Sequence, residues 1–153
     1  MRNRVISTLI TAALVGGTAV TVTAARSPAP IPMRVVKSPT CGCCQKWVDY
    51  MKTQGFAVTV ENRDEFTALK RANGVTTDLQ SCHTAFVGNV VIEGHVPADL
   101  VKKMLVEKPA GVKGLSAPGM PMGSPGMEGP VSQRYTIYSF DSKGNAKPYA
   151  VRS

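Results

Sequence analysis

Ser38-Pro39-Thr40-Cys41-Gly42-Cys43-Cys44-Gln45-Lys46-Trp47-Val48-Asp49-Tyr50-Met51-Lys52-Thr53-Gln54-Gly55 is the stretch on which the fold of this chain is decided. Ser38-Pro39-Thr40 interrupts any regular element before it. From Cys44 onward the apolar residues Cys44, Trp47, Val48 and Met51 recur at i, i+3, i+4 and i+7, the spacing of one helix face. Gly55 stands where a left-handed residue closes a helix. The thiols of Cys41, Cys43 and Cys44 therefore lie at a helix N-terminus. There the helix dipole and free backbone N–H groups lower a thiol's pKa, which favours both nucleophilic attack and soft-metal binding.

Upstream, Met33–Lys37 with Val35 and Val36 reads as a short strand, and Arg26–Pro32, with prolines at 28, 30 and 32, as an extended leader. Downstream, Phe56–Glu61 alternates Phe56, Val58 and Val60 with smaller or polar residues, a strand pattern. Asn62–Asn73, with Phe66 and Leu69, reads as a second helix closed by Gly74, and its Glu61, Asp64 and Glu65 suit a helix start. Thr84–Val87 and Val90–Glu93 flank Gly88-Asn89, a two-residue hairpin turn. Pro97 then opens a third helix whose apolar face is Leu100, Val101, Met104 and Leu105, and Pro109 stops it.

The resulting order, β-α-β-α-β-β-α, is the thioredoxin-like arrangement of an α/β domain. Its topology sets the first helix's N-terminus beside the loop entering the third strand. Cys41, Cys43 and Cys44 are thus expected to face Cys82 and His83. Met51 and Met104, on helical faces, read as core.

Residues 108–130 contain six glycines and five prolines without apolar periodicity, yet carry Met120, Met122 and Met127. A structureless loop of that length in a small domain is usually functional or disordered. Tyr135–Phe140 alternates into a strand, Asp141–Asn145 turns, and the chain returns to Val151, giving a terminal hairpin over 135–151.

The first residues indicate the compartment. Arg2 and Arg4 precede an uncharged run from Val5 to Ala25 that ends in small residues, a secretory signal-peptide pattern over residues 1–25. Export to a periplasm follows, with no stable membrane span after cleavage. The ~128 residues that remain comprise the leader and one domain, 33–153, long enough to bury a core without disulfide help. Removing Arg2 and Arg4 lowers the net charge from +8 to about +6, and the remaining basic residues are scattered among few aromatics. That distribution argues against a nucleic-acid surface. The chain also lacks a phosphate-cradling loop with its lysine and a nucleophile elbow.

All four cysteines sit in two short segments, Cys41–Cys44 and Cys82, the latter followed by His83. Thiolates and thioethers are soft donors that select Cu(I), whereas structural zinc prefers two separated ligand pairs. Cys41, Cys43, Cys44 and Cys82 are the primary candidate ligands for one copper ion or several. His83, His95, Met120, Met122 and Met127 are supplementary candidates. Two other readings of the cluster remain open. Cys41 and Cys44 form a C-x-x-C that suits a thiol-disulfide or copper oxidoreductase, with Cys41 attacking and Cys44 resolving. Two structural disulfides are the third, but a bridge within one turn closes almost no loop and so stabilises little.

Four ordered blocks now carry a resemblance: Ser38-Pro39-Thr40-Cys41-Gly42-Cys43-Cys44, Ser81-Cys82-His83-Thr84-Ala85, Ile92-Glu93-Gly94-His95-Val96-Pro97-Ala98, and Pro118-Gly119-Met120-Pro121-Met122-Gly123-Ser124-Pro125-Gly126-Met127-Glu128. With them the chain resembles the CopG-like copper-resistance family, periplasmic proteins long classed as a domain of unknown function. The resemblance spans about Met33 to Gly129. It implies a thioredoxin-like fold, copper binding through the cysteines, and a part in copper or silver tolerance alongside other periplasmic copper-handling proteins. Thioredoxin-type oxidoreductases place a cis-proline before the third strand. Here that place holds His83-Thr84, a departure that favours metal binding over dithiol exchange.

Overall fold

A computed structural model describes residues 28–153. The expected signal peptide lies outside the described residues. The chain runs β1 (Ile31–Lys37), α1 (Gly42–Thr53), β2 (Phe56–Asn62), α2 (Thr67–Ala72), a single 3-10 turn (Thr77–Leu79), β3 (His83–Val87), β4 (Val90–Glu93), α3 (Ala98–Glu107), β5 (Gly114–Ser116), β6 (Tyr135–Phe140) and β7 (Ala146–Arg152). It is a mixed α/β fold built on one 7-stranded sheet in the order β2-β1-β3-β4-β5-β6-β7. The β1/β2 and β4/β5 pairs are parallel and the others antiparallel.

Alternation along the strands sorts their side chains onto two faces. On one face Met33, Val35, Ala85 and Ile92 meet Trp47, Val48 and Met51 of α1 and Leu100, Val101 and Met104 of α3. Burying each of the larger side chains contributes about 1.5–3 kcal/mol. On the other face Val91 and Phe140 pack with Val75 and Leu79 from the chain that follows α2. The sheet is thus a middle layer, with α1 and α3 on one side and the α2 segment on the other.

The leader gives way to structure earlier than its prolines suggest. β1 starts at Ile31, whose N–H donates to Gly55 O at 2.9 Å. Pro32, with no N–H, sits in the part of β1 that borders β2 alone, since pairing with β3 begins at Arg34. The second helix is shorter than its pattern implied and covers only Thr67–Ala72.

The Gly/Pro/Met-rich segment is not structureless. Gly114–Ser116 forms β5 between β4 and β6, and Gly114 has no room for a side chain because Val91 O and the Phe140 ring lie against it. Beyond β5, hydrogen bonds from Met127 N–H to Ser124 O (2.8 Å), Gly123 N–H to Met127 O (2.9 Å) and Gln133 N–H to Met122 O (2.9 Å) fold the remainder into turns.

Candidate metal centre

The cysteine cluster is built by a helix cap. Cys41 is the N-cap of α1 in an extended conformation, and its sulfur accepts the Cys44 N–H at 3.3 Å. That contact satisfies one of the orphan donors of the helix start with the softest acceptor available. Cys43 Sγ lies 3.5 Å from Cys41 Sγ, and the fully buried Cys44 approaches Cys82 O at 3.7 Å. Cys41 and Cys44 are joined in a disulfide, while Cys43 and Cys82 are free thiols.

Cys82 comes from the turn entering β3, next to the start of α1. The sulfurs of Cys41, Cys43, Cys44 and Cys82 all lie within 4.8 Å of one another. Cys82, His83 and His95 form a second group with donor atoms inside the same limit, so Cys82 is shared by both. The fold thus gathers Cys41, Cys43, Cys44 and Cys82, with His83 and His95 beside Cys82.

Both histidines are buried. His95 Nδ1 is 2.8 Å from the Pro125 carbonyl oxygen, which can only accept. The hydrogen of the neutral ring therefore sits on Nδ1, and the Nε2 lone pair faces Cys82 Sγ at 3.0 Å. His83 Nδ1 is 3.5 Å from the same sulfur, and its ring lies 4.4 Å from that of Trp47. His83 Nε2 is buried without a hydrogen-bond partner. An unsatisfied buried polar atom costs about 1–3 kcal/mol, a cost that a bound ion or water would offset.

Burial, with lesser contributions from His95 and Lys70, holds the His83 pKa well below its ordinary value. Burial also lowers that of His95 against the opposing Pro125 hydrogen bond. Both rings are thus kept neutral, the form that ligates metal. Cys82 moves the other way: burial first, then the neighbouring Cys43, pushes its thiol up to about 12.

Soft sulfur donors joined by neutral imidazoles fit Cu(I). A histidine whose second ring nitrogen donates to a backbone carbonyl, as His95 does to Pro125, has the usual outer contact of a metal ligand. With the Cys41–Cys44 bridge closed, Cys43, Cys82 and the histidines are the donors available. All four sulfurs become donors only after two-electron reduction of the bridge.

The methionines are placed less uniformly. Met120 is 54% exposed and lines an open groove of about 320 Å³ with Gln80, Ser81, Cys82 and Gly119. Met122 is directed toward Gly129. Met127 follows Gly126, whose backbone sits so close to α1 that an added Cβ would stand 2.8 Å from both Cys43 O and Trp47 N. The methionine loop therefore packs directly on the cysteine-bearing helix start.

Several neighbours bear on the site in ways the sequence pattern does not indicate. Trp47 both packs against His83, the rings tilted by 44°, and donates its indole N–H to Val96 O at 3.1 Å, pinning α1 to the chain just after His95. Lys37, buried at the end of β1, is the cross-strand partner of His83. On the opposite sheet face Lys70, Glu93 and Thr84 form a buried polar cluster beneath Cys82 and His83. Among the described residues no peptide bond is cis. No helix of the described residues is long and apolar enough to cross a membrane.

A family model described as a protein of unknown function, DUF411, matches residues 79–127. That span contains Cys82, His83, His95 and all three loop methionines, but not the Cys41–Cys44 segment. Two solved structures described as copper resistance protein CopG are similar to the chain over nearly their whole length. Form 1 is 35% identical with a TM-score of 0.75, covering 80% of this chain and 98% of its own. Form 2 is 34% identical, also at 0.75, covering 81% and 99%. No curated protein matches the chain.

Proposed function

The chain belongs to the CopG-like copper-resistance family, and from that premise we propose that it is an exported protein that binds Cu(I) as cargo and contributes to copper resistance. The observation that carries the reading is the convergence of Cys41, Cys43, Cys44 and Cys82 within 4.8 Å, with Cys82 shared by His83 and His95. In this proposal the four thiolates are the principal ligands, His83 and His95 complete the set, and Met120, Met122 and Met127 supply further soft donors from the loop. Bridging thiolates allow more than one ion.

The parallel β1/β2 pair, the antiparallel β3/β4 hairpin and the cysteine-capped α1 support a thioredoxin-like reading of residues 33–107, extended by β5 and the β6/β7 hairpin. The basic, apolar N-terminal segment supports cleavage near residue 25 and a periplasmic location, where metal ions and other copper-handling proteins are the partners. Elemental analysis of protein purified anaerobically from copper-fed cells tests the proposal. Stoichiometric copper is the expected result, and copper-free protein would contradict it.

The Cys41–Cys44 bridge supports a second reading, thiol-disulfide exchange. The Cys41 thiolate would attack a substrate disulfide and release one thiol. Cys44 would then displace the second and close the bridge seen here, transferring two electrons to the substrate. Turnover of a disulfide substrate by reduced, metal-free protein, lost in Cys41→Ser, would establish it.

A further inference from the structure

Cys82 and His83 sit in the middle of a four-residue segment whose two ends are tied to the same buried ion pair. Glu93 accepts the Ser81 N–H at 2.8 Å on one carboxylate oxygen and the Thr84 hydroxyl at 2.7 Å on the other. Lys70 Nζ donates to Ser81 O at 3.1 Å, to Thr84 Oγ1 at 3.0 Å and to Glu93 itself. The Lys70 and Glu93 side chains are 6% and 0% exposed. The pair lies on the α2 face of the sheet, whereas His83 faces Trp47 of α1, so its hydrogen bonds reach Ser81 and Thr84 on either side of the donors and not Cys82 or His83 themselves.

Glu93 also sets the third donor. It ends β4, and Gly94 follows with a φ of 72°. Gly94 donates to His83 O at 3.0 Å and leaves no room for a Cβ against Ser81. The chain then turns directly into His95. One carboxylate thereby couples the backbone carrying Cys82 and His83 to that carrying His95.

A buried ion pair is a poor source of stability, since an apolar pair of similar volume is commonly neutral or better. Its directional hydrogen bonds do what apolar contacts cannot, which is to fix a backbone segment in one place. We propose that Lys70 and Glu93 are positioning residues of the metal centre, holding Ser81–Thr84 so that Cys82, His83 and His95 stand at ligating separation. The inference rests on the copper-binding reading proposed above.

The test compares wild type with Lys70→Met/Glu93→Leu, in which no unpaired charge is left behind. Urea unfolding, anaerobic Cu(I) titration against a competing chelator, the near-ultraviolet charge-transfer spectrum of the Cu(I) form, and the alkylation rate of Cys82 in metal-free protein are measured on both. The double variant should unfold near the wild-type midpoint. It should nevertheless bind Cu(I) about 10–100-fold more weakly, the usual effect of losing outer contacts, with an altered spectrum and a changed Cys82 alkylation rate.

Wild-type affinity, spectrum and alkylation in the folded double variant would overturn the proposal. If wild type itself binds no Cu(I), the copper reading fails, and the alkylation rate alone decides whether the pair positions Cys82. Should the double variant not fold, Lys70→Met/Glu93→Gln, with a neutral isostere, replaces it. The same direction with a smaller loss is expected there, and unchanged behaviour would overturn the proposal.

Discussion

Cys82 Sγ stands 3.0 Å from His95 Nε2, across a sequence separation of 13 residues, and the other nitrogen of the same ring is held by Pro125 O. This contact links three segments at one sulfur: the turn before β3, the turn after β4, and the methionine loop.

On the proposed reading His95→Ala removes a neutral metal ligand from beside Cys82 and releases Pro125. Cu(I) affinity should fall at least about tenfold, as for other losses at metal sites. His95 approaches the sulfur through Nε2, so Gln, which carries no imidazole nitrogen, should not restore the affinity. Competition titrations of the two variants against a Cu(I) chelator check this.

Copper affinity should rise with pH. Burial pushes the Cys82 thiol up to about 12, so near neutrality it is protonated and an incoming ion must displace that proton. Each displaced proton makes apparent affinity change by about tenfold per pH unit. Burial lowers the pKa of both His83 and His95, which weakens proton competition at the two rings. Titrations at pH 6, 7 and 8 should therefore show a slope of at least one from Cys82, and Cys82→Ser should reduce the slope by about one.

Breaking the buried pair from one side should be far worse than replacing it whole. Lys70→Met leaves the Glu93 carboxylate without its counter-ion and should cost about 3–5 kcal/mol in urea unfolding. Burial already raises the Glu93 pKa, opposed chiefly by Lys70, and losing Lys70 raises it further. A group whose folded pKa exceeds its unfolded value favours the fold below the unfolded pKa and loses that contribution as pH rises through the folded one. The variant should therefore be closest to wild type near pH 4 and fall away from it toward pH 8.

Gly126→Ala should lift the methionine loop from α1. The position has a φ of 83°, and its Cβ would meet Cys43 O and Trp47 N at 2.8 Å. A strained left-handed residue costs on the order of 1–3 kcal/mol. Faster hydrogen exchange over residues 118–128 and changed Trp47 fluorescence are expected, while α3 stays protected.

The local parts of this fold were legible because their signals are local. Cys44, Trp47, Val48 and Met51 mark the buried face of α1, and Gly88-Asn89 marks the β3/β4 turn. The order of elements leads to the expectation that the start of α1 faces Cys82, and the four cysteine sulfurs lie within 4.8 Å of one another. β5 was not legible: Gly114-Leu115-Ser116 has no pattern of its own and becomes a strand only because β4 and β6 border it on both sides. Lys70 was equally silent. On sequence it is one more cation on a short helix, and its burial depends on Glu93, 23 residues away. His95 could be nominated as a ligand from its block. That it meets the cysteine of the β3 turn required the antiparallel pairing of Thr84 with Glu93.

The central claim is that the cysteine cluster holds copper, and the most direct measurement is Cu(I) stoichiometry on fully reduced protein, wild type against the variant with Cys41, Cys43, Cys44 and Cys82 all changed to Ser. At least one tightly bound Cu(I) per wild-type chain is expected, and none in a quadruple variant that still unfolds cooperatively around its Trp47–Met51–Met104 core. Equal copper in both proteins, or no copper in reduced wild type, would contradict it.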